Sequence, residues 1–285
     1  MPLLVLKTCR ITLVRLAALL FTCAAFSVAS HGGLVNGGMA GWSIFCWAFS
    51  FAGTLLVLVV KLMGLQSRAP VCWNNFPITF ACYASLLCLS ASIIFSLYFL
   101  NGKMRRDEVQ DHRIASSVFS CMATGIYFIE VCLTRAQTGE VAGYMATVPC
   151  LLKVCETFVA SVVFLFVSDP ASYDSHSALK WCMAIYCICF VISAAIVAMC
   201  ITECTGCLPF PFTCFLSTYA LLAVVMYLTA AIIWPVLKFD SHYSRSSSQP
   251  DDKLVAVAVA VLTALNFLIY LADLVYSAQL VSVKV

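Results

Sequence analysis

The sequence predicts an all-α membrane protein, with eight transmembrane helices folded as two tandem four-helix bundles. Three observations carry that prediction. Hydrophobic residues make up 63% of the 285-residue chain and charged residues only 10%, against about 25% charged in an ordinary soluble domain. The apolar residues are gathered into eight runs, each near the roughly 20 residues that cross a bilayer as a helix. The second half of the chain also repeats landmarks of the first half in the same order.

Taken in order, the spans fall at residues 11–28, 41–60, 80–100, 115–133, 149–167, 178–201, 213–234 and 254–274. Backbone polar groups cannot be left bare in hydrocarbon, so each run is a helix. The period-2 alternation of a membrane barrel is absent. The first run follows Lys7 and Arg10 as a signal peptide would. Arg15 lies inside it, however, and no small-residue cleavage site precedes His31, so it reads as a retained span. The fifth opens on Pro149, which suits the first turn of a helix because its missing N–H would be an orphan donor there. Connections are short, and the longest, around residues 241–252, is polar and rich in serine.

The repeat is carried by four landmarks. Phe76, Pro77 and Thr79 open the third span as Phe210, Pro211 and Thr213 open the seventh. Trp42 starts the second as Trp181 starts the sixth, and Tyr127 with Glu130 ends the fourth as Tyr270 with Asp273 ends the eighth. Arg15 and Glu156 stand at matching depth in the first and fifth, and the offsets run from 134 to 143 residues. Two units follow, at residues 8–137 and 144–280. Four spans per unit is an even number, so both units have one orientation, whereas the inverted repeats of many transporters need an odd number.

Charge does not orient the chain, because eight of the 16 Lys and Arg residues fall on each side of the membrane. Cysteine does. Of 17, none lies in the four loops opposite the termini, whereas Cys9, Cys72, Cys132, Cys150, Cys200, Cys204 and Cys207 lie at or near the side of the termini. Thiols persist in a reducing compartment. Both termini are therefore expected to be cytosolic.

The candidate functional residues are the charges inside the spans. Arg15 and Glu130 are expected at similar depth in the first unit. In the second, Lys153 and Glu156 stand three apart on one helical face and near Asp273. These five residues are expected to clasp the first helix of each unit to its last. The rival reading is a proton or ion path through the same carboxylates. The clasp is preferred because the groups gather near one surface, away from the midplane where transporter sites lie. Arg10 and Lys61 read as side chains that snorkel to the headgroups.

Cys204 and Cys207 form a single Cys-x-x-Cys without the second pair that zinc would need. Cys9, Cys132, Cys204 and Cys207 are instead candidates for S-acylation. The four histidines, His31, His112, His176 and His242, are placed in the loops opposite the termini. Trp42, Trp47, Trp73, Trp181 and Trp234 read as interface anchors, and Ser50 with Thr54 and Ala81 with Ser85 as small pairs permitting close helix approach. Lys180, Tyr186 and Val191, like Leu237, Tyr243 and Arg245, match loose cholesterol patterns. No catalytic, cofactor or metal site is predicted, because phosphate loops, zinc-protease motifs and nucleophile–histidine pairs are all missing. A net charge of +3, scattered along the chain, excludes nucleic acid as a partner.

Residues 76–95, 143–160, Ser168-Asp169-Pro170, and Tyr270-Leu271-Ala272-Asp273 through Val285 resemble the myeloid-associated differentiation marker proteins. Those consist of two tandem MARVEL domains, each a four-helix membrane unit, and the resemblance covers nearly the whole chain. It implies a plasma-membrane or vesicle protein with both termini cytosolic, and no enzyme. It also implies a role in organising cholesterol-rich, ordered membrane, linked to vesicle trafficking, cell spreading or adhesion. The partners expected on that reading are membrane lipids, cholesterol among them, and other membrane or cortical cytoskeletal proteins. One departure is Lys61, where an acidic residue is expected at the end of the second span. The alternative class is a channel, transporter or transporter subunit that uses the intramembrane charges.

Overall fold

A computed structural model describes residues 2–31, 38–68, 72–73, 75–96, 108–137, 145, 147–167, 177–203, 211–239 and 250–284. They form α1 (Pro2–His31), α2 (Gly38–Leu62), a 3-10 turn (Leu65–Arg68), α3 (Phe76–Phe95), α4 (Glu108–Gln137), α5 (Val148–Phe166), α6 (Ser177–Thr202), α7 (Phe212–Phe239) and α8 (Pro250–Lys284). All eight α-helices are long and apolar enough to cross a membrane. Several extend beyond their expected spans, α8 and α1 most of all, because a helix continues into the headgroup region after its hydrophobic stretch ends. α3 begins four residues before its expected start, with Pro77 in its first turn, where a proline costs no hydrogen bond. His31 and His112, expected in loops, instead end α1 and lie in the second turn of α4, with ring centroids 5.8 Å apart. His176 and His242 lie outside the described residues.

The chain divides into two compact units, Met1–Ala146 and Thr147–Val285. Within the first, α1 packs on α2, α2 on α3, α3 on α4, and α4 returns to α1; α5 to α8 form the same closed ring in the second. On α1 and α8 the patterning is the reverse of a soluble bundle. On α1 the stripe Ile11, Arg15, Ala18, Thr22, Ala25 and Ala29 is buried, while Leu13, Leu16 and Leu20 face outward. On α8 the buried stripe is Val259, Thr263, Asn266, Tyr270, Asp273 and Ser277, and Val257, Val261, Leu265, Leu268 and Val275 face outward. On these two helices small and polar residues thus make the interhelix contacts, and large aliphatic ones face outward.

Two of the five tryptophans depart from the interface-anchor reading. Trp47 is fully buried, and its indole N–H donates to Ser120 Oγ at 2.7 Å. Trp234 is also buried and donates to the Ala256 carbonyl at 3.3 Å. Indole nitrogens left in a lipid-excluded core need an acceptor, and both bundles supply one. Trp181, by contrast, is 51% exposed.

Close helix approach in the first unit is set at Gly53 on α2. A Cβ built there would overlap the ring of Phe80 on α3. Gly53→Ala is expected to lower thermal stability in detergent by about 1–3 kcal/mol through overpacking, and Phe80→Leu in the same chain to recover most of the loss. No loss in the single variant would mean that the Phe80 ring swings aside freely.

Candidate functional site

Each unit buries charge at the same depth. Arg15 stands five residues inside the span Arg10–His31, and Glu130 six before the end of Asp111–Ala136. Lys153 is five residues inside Val148–Phe166, and Asp273 six before the end of Leu254–Gln279. At about 1.5 Å per residue, these positions lie roughly 8–9 Å from the helix ends.

In the first unit, Arg15 Nε lies 2.6 Å from Glu130 Oε1, with both side chains at least 95% buried. One turn deeper, the Tyr127 hydroxyl donates to the Ser50 carbonyl at 3.1 Å and lies 2.6 Å from Thr54 Oγ1. Tyr127 thus spans the bundle diagonal from α4 to α2. Below it, Ser120 accepts from Trp47 and from Ser92 (2.8 Å) and donates to the Cys88 carbonyl at 3.0 Å. One cation here pairs directly with one anion, and Lys61 at the end of α2 stands close enough to act electrostatically on both.

The second unit holds a larger network. Lys153 Nζ is 3.1 and 2.9 Å from the two carboxylate oxygens of Glu156. It is also 2.7 Å from Asp273 Oδ2, an ion pair without the alignment of a directed hydrogen bond. All three side chains are fully buried. Ser193 on α6 donates to Glu156 at 2.9 Å and contacts the hydroxyls of Tyr219 (2.9 Å) and Tyr270 (3.0 Å). The two tyrosine rings flank the ammonium, at 4.5 and 5.0 Å from ring centroid to nitrogen, which adds cation–π attraction in a desolvated site. Ser277 donates to the other Asp273 oxygen at 3.3 Å. Two carboxyl groups therefore share one ammonium, where the first unit has one of each.

Polar groups continue inward from this cluster. Asn266, at the middle of its span, donates to the Tyr227 hydroxyl at 2.8 Å and to the Glu156 main-chain carbonyl at 3.4 Å, and its own Oδ1 has no hydrogen-bond partner. Beyond it, the Tyr186 hydroxyl lies 2.7 Å from Thr263 Oγ1. Burial there withdraws Tyr186 from the lipid-facing cholesterol pattern in which the sequence places it.

All five intramembrane charges thus lie in contact with one another inside their own units. Ser193, Tyr219, Tyr227 and Asn266 belong to the same network, although sequence reasoning did not single them out. The signal was on α8, where Thr263, Asn266, Tyr270, Asp273 and Ser277 recur every three or four residues on one helical face. The same heptad on α4 carries Ser120, Ala123, Tyr127, Glu130 and Thr134, so Asn266 is the polar addition of the second unit. Of the acylation candidates, Cys132 is exposed. Cys204, Cys207 and the side chain of Cys9 lie outside the described residues. Among the described residues, no three His, Cys, Asp or Glu side chains gather as metal ligands.

Residues 8–133 and 144–276 each match MARVEL, the membrane-associating domain. The chain is 49% identical over 288 residues to the myeloid-associated differentiation marker homolog of Xenopus laevis, covering 96% of this chain and 93% of that protein. It is 48% identical over 286 residues to the human myeloid-associated differentiation marker, covering 96% and 88%. The chain belongs to the myeloid-associated differentiation marker family. The human myeloid-associated differentiation marker-like protein 2 is more distant, at 36% identity over 279 residues, with 93% of this chain and 90% of that protein covered. No solved structure matches this chain. The myeloid-associated differentiation marker family is one of multi-span membrane proteins and not of enzymes. In this member, each MARVEL segment coincides with one closed ring of four helices and one buried charge cluster.

Proposed function

We propose that this protein is an organiser of ordered, cholesterol-rich membrane, acting through lipid contacts around two clasped four-helix units. The observation that carries this reading is the division of chemistry in the described spans. The intramembrane charges pair inside each unit, while Leu, Val, Ile and Phe side chains occupy the outer faces. Breaking such a pair would leave a charge in hydrocarbon, so each clasp keeps its outer surface apolar. Acylation of Cys132, which is exposed near the end of α4, would strengthen attachment to ordered lipid. Cys9, Cys204 and Cys207 extend that proposal to the same membrane face.

On this reading the protein resides in the plasma membrane or in vesicles with both termini in the cytosol. Cytosolic segments would contact cortical cytoskeletal or other membrane proteins, which would link it to trafficking, spreading and adhesion. The test is plasma-membrane order, read with a polarity-sensitive dye in cells with and without the protein at matched surface area. Removal is expected to lower order; unchanged order would sink the proposal.

A transport reading is favoured by one observation, the polar column that reaches the midplane at Asn266. Glu130→Gln with Asp273→Asn separates the two readings. Lost abundance without a lost flux in reconstituted vesicles supports the clasp, and a lost flux in a folded protein supports transport.

A further inference from the structure

The seam between α5 and α6 holds a second feature with its own chemistry. The sulfurs of Cys150 and Cys200 lie 3.3 Å apart, and both residues are buried, at 2% and 0% exposure. Cys150 is the third residue of α5, and Cys200 is two residues before the end of α6. The pair therefore closes the seam at the end of the helices nearest the membrane surface. Further inward, the same seam is joined by Ser193 donating to Glu156 at 2.9 Å. Cys150 and Glu156 are six residues apart on α5, and Ser193 and Cys200 seven apart on α6, so about two turns separate the two contacts. Antiparallel helices held in register by the inner bond keep the outer sulfurs facing each other. A covalent bond between the sulfurs, about 2.05 Å long, needs only a small further approach.

We infer that Cys150 and Cys200 are an oxidisable pair, converted by a peroxide into an intramolecular disulfide that staples the start of α5 to the end of α6. The Cys150 sulfur, as thiolate, attacks one peroxide oxygen. The O–O bond breaks, the departing hydroxide takes a proton to become water, and Cys150 becomes a sulfenic acid. The Cys200 sulfur then attacks the Cys150 sulfur, the S–O bond breaks, and a second water leaves with the Cys200 proton. Two thiols lose two electrons and two protons, and one peroxide becomes two waters. Reduction by a dithiol reverses the step. The consequence is local to the second unit, because Lys153 follows Cys150 by one turn and the staple fixes the helix that carries it.

This inference is independent of the lipid-organising reading. Its test uses the full chain purified in detergent, first reduced, then treated with hydrogen peroxide, alkylated to block remaining thiols, digested and analysed by mass spectrometry. A peptide linking Cys150 to Cys200 is expected to rise on the order of tenfold and to vanish on return to dithiothreitol. The oxidised protein is expected to melt about 5 °C or more above the reduced one. Cys150→Ala and Cys200→Ala should each abolish both effects, with elution on size exclusion confirming that the variants are folded. Should either variant fail to fold, the linked peptide in the unaltered chain decides alone. Peroxide that leaves Cys150 and Cys200 as alkylated thiols, or that links either one to a different cysteine, overturns the proposal.

Discussion

Replacing Lys153 with Met is expected to destabilise the second unit by about 3–5 kcal/mol, the cost of stranding buried carboxylates without their cation. Lys153 is the cation shared by Glu156 and Asp273, at 2.9 and 2.7 Å, and none of the three side chains reaches solvent. Met preserves the length and volume of the aliphatic stem, so the loss reports charge and not a cavity. The measurement is thermal unfolding in detergent, with recovery of the monodisperse species after heating as a second readout. Glu156→Gln should behave differently. It leaves one ammonium facing one carboxylate, the ratio found in the first unit, and an amide oxygen can still accept from Ser193. Its cost is expected near 1 kcal/mol, that of a weakened hydrogen bond. The triple variant Lys153→Met, Glu156→Gln, Asp273→Asn removes every charge and should regain much of what the first substitution loses, because neutral replacement of a buried ion pair is often nearly neutral in energy. Equal losses for Lys153→Met and Glu156→Gln would contradict the account of two acids leaning on one base.

The second large effect is expected at the Arg15–Glu130 pair, and a double-mutant cycle isolates it. Arg15→Met strands a carboxylate and Glu130→Gln strands a guanidinium, so each single change is expected to cost about 3 kcal/mol. The double variant strands neither. Its loss should be no larger than that of either single change, so it should fall short of the sum of the two by on the order of 3 kcal/mol, the upper end of the interaction energies of residues in direct contact. The pair joins α1 to α4, which are the first and last helices of the ring. Its loss should therefore open the unit between those two helices, seen as increased hydrogen exchange in both and little change in the α2–α3 packing around Gly53. Strict additivity in the cycle would mean that the two side chains act on stability independently.

Much of this architecture is legible in the sequence. The eight spans follow from length and hydropathy, because a bilayer demands about 20 apolar residues and internal backbone pairing. The two-unit organisation follows from recurring landmarks, and the five charges stand out because charge in hydrocarbon is expensive and rarely accidental. The tertiary structure decided which polar side chains meet. Trp47 and Trp234 look like interface residues by their position near span ends, yet they turn inward, because another helix supplies the acceptor, Ser120 on the diagonal α4 for Trp47 and the Ala256 carbonyl on the adjacent α8 for Trp234. Asn266 and Tyr219 join the Lys153 network although they come from α8 and α7, and no spacing along one helix reveals a partner on another. The 3.3 Å approach of Cys150 to Cys200 likewise depends on the register of two antiparallel helices. The sequence by itself determined which segments must cross the membrane and which charges inside them need partners, since that is a question of solvation read along the chain. Pairing is a question of geometry between helices, and only the packed bundle answers it.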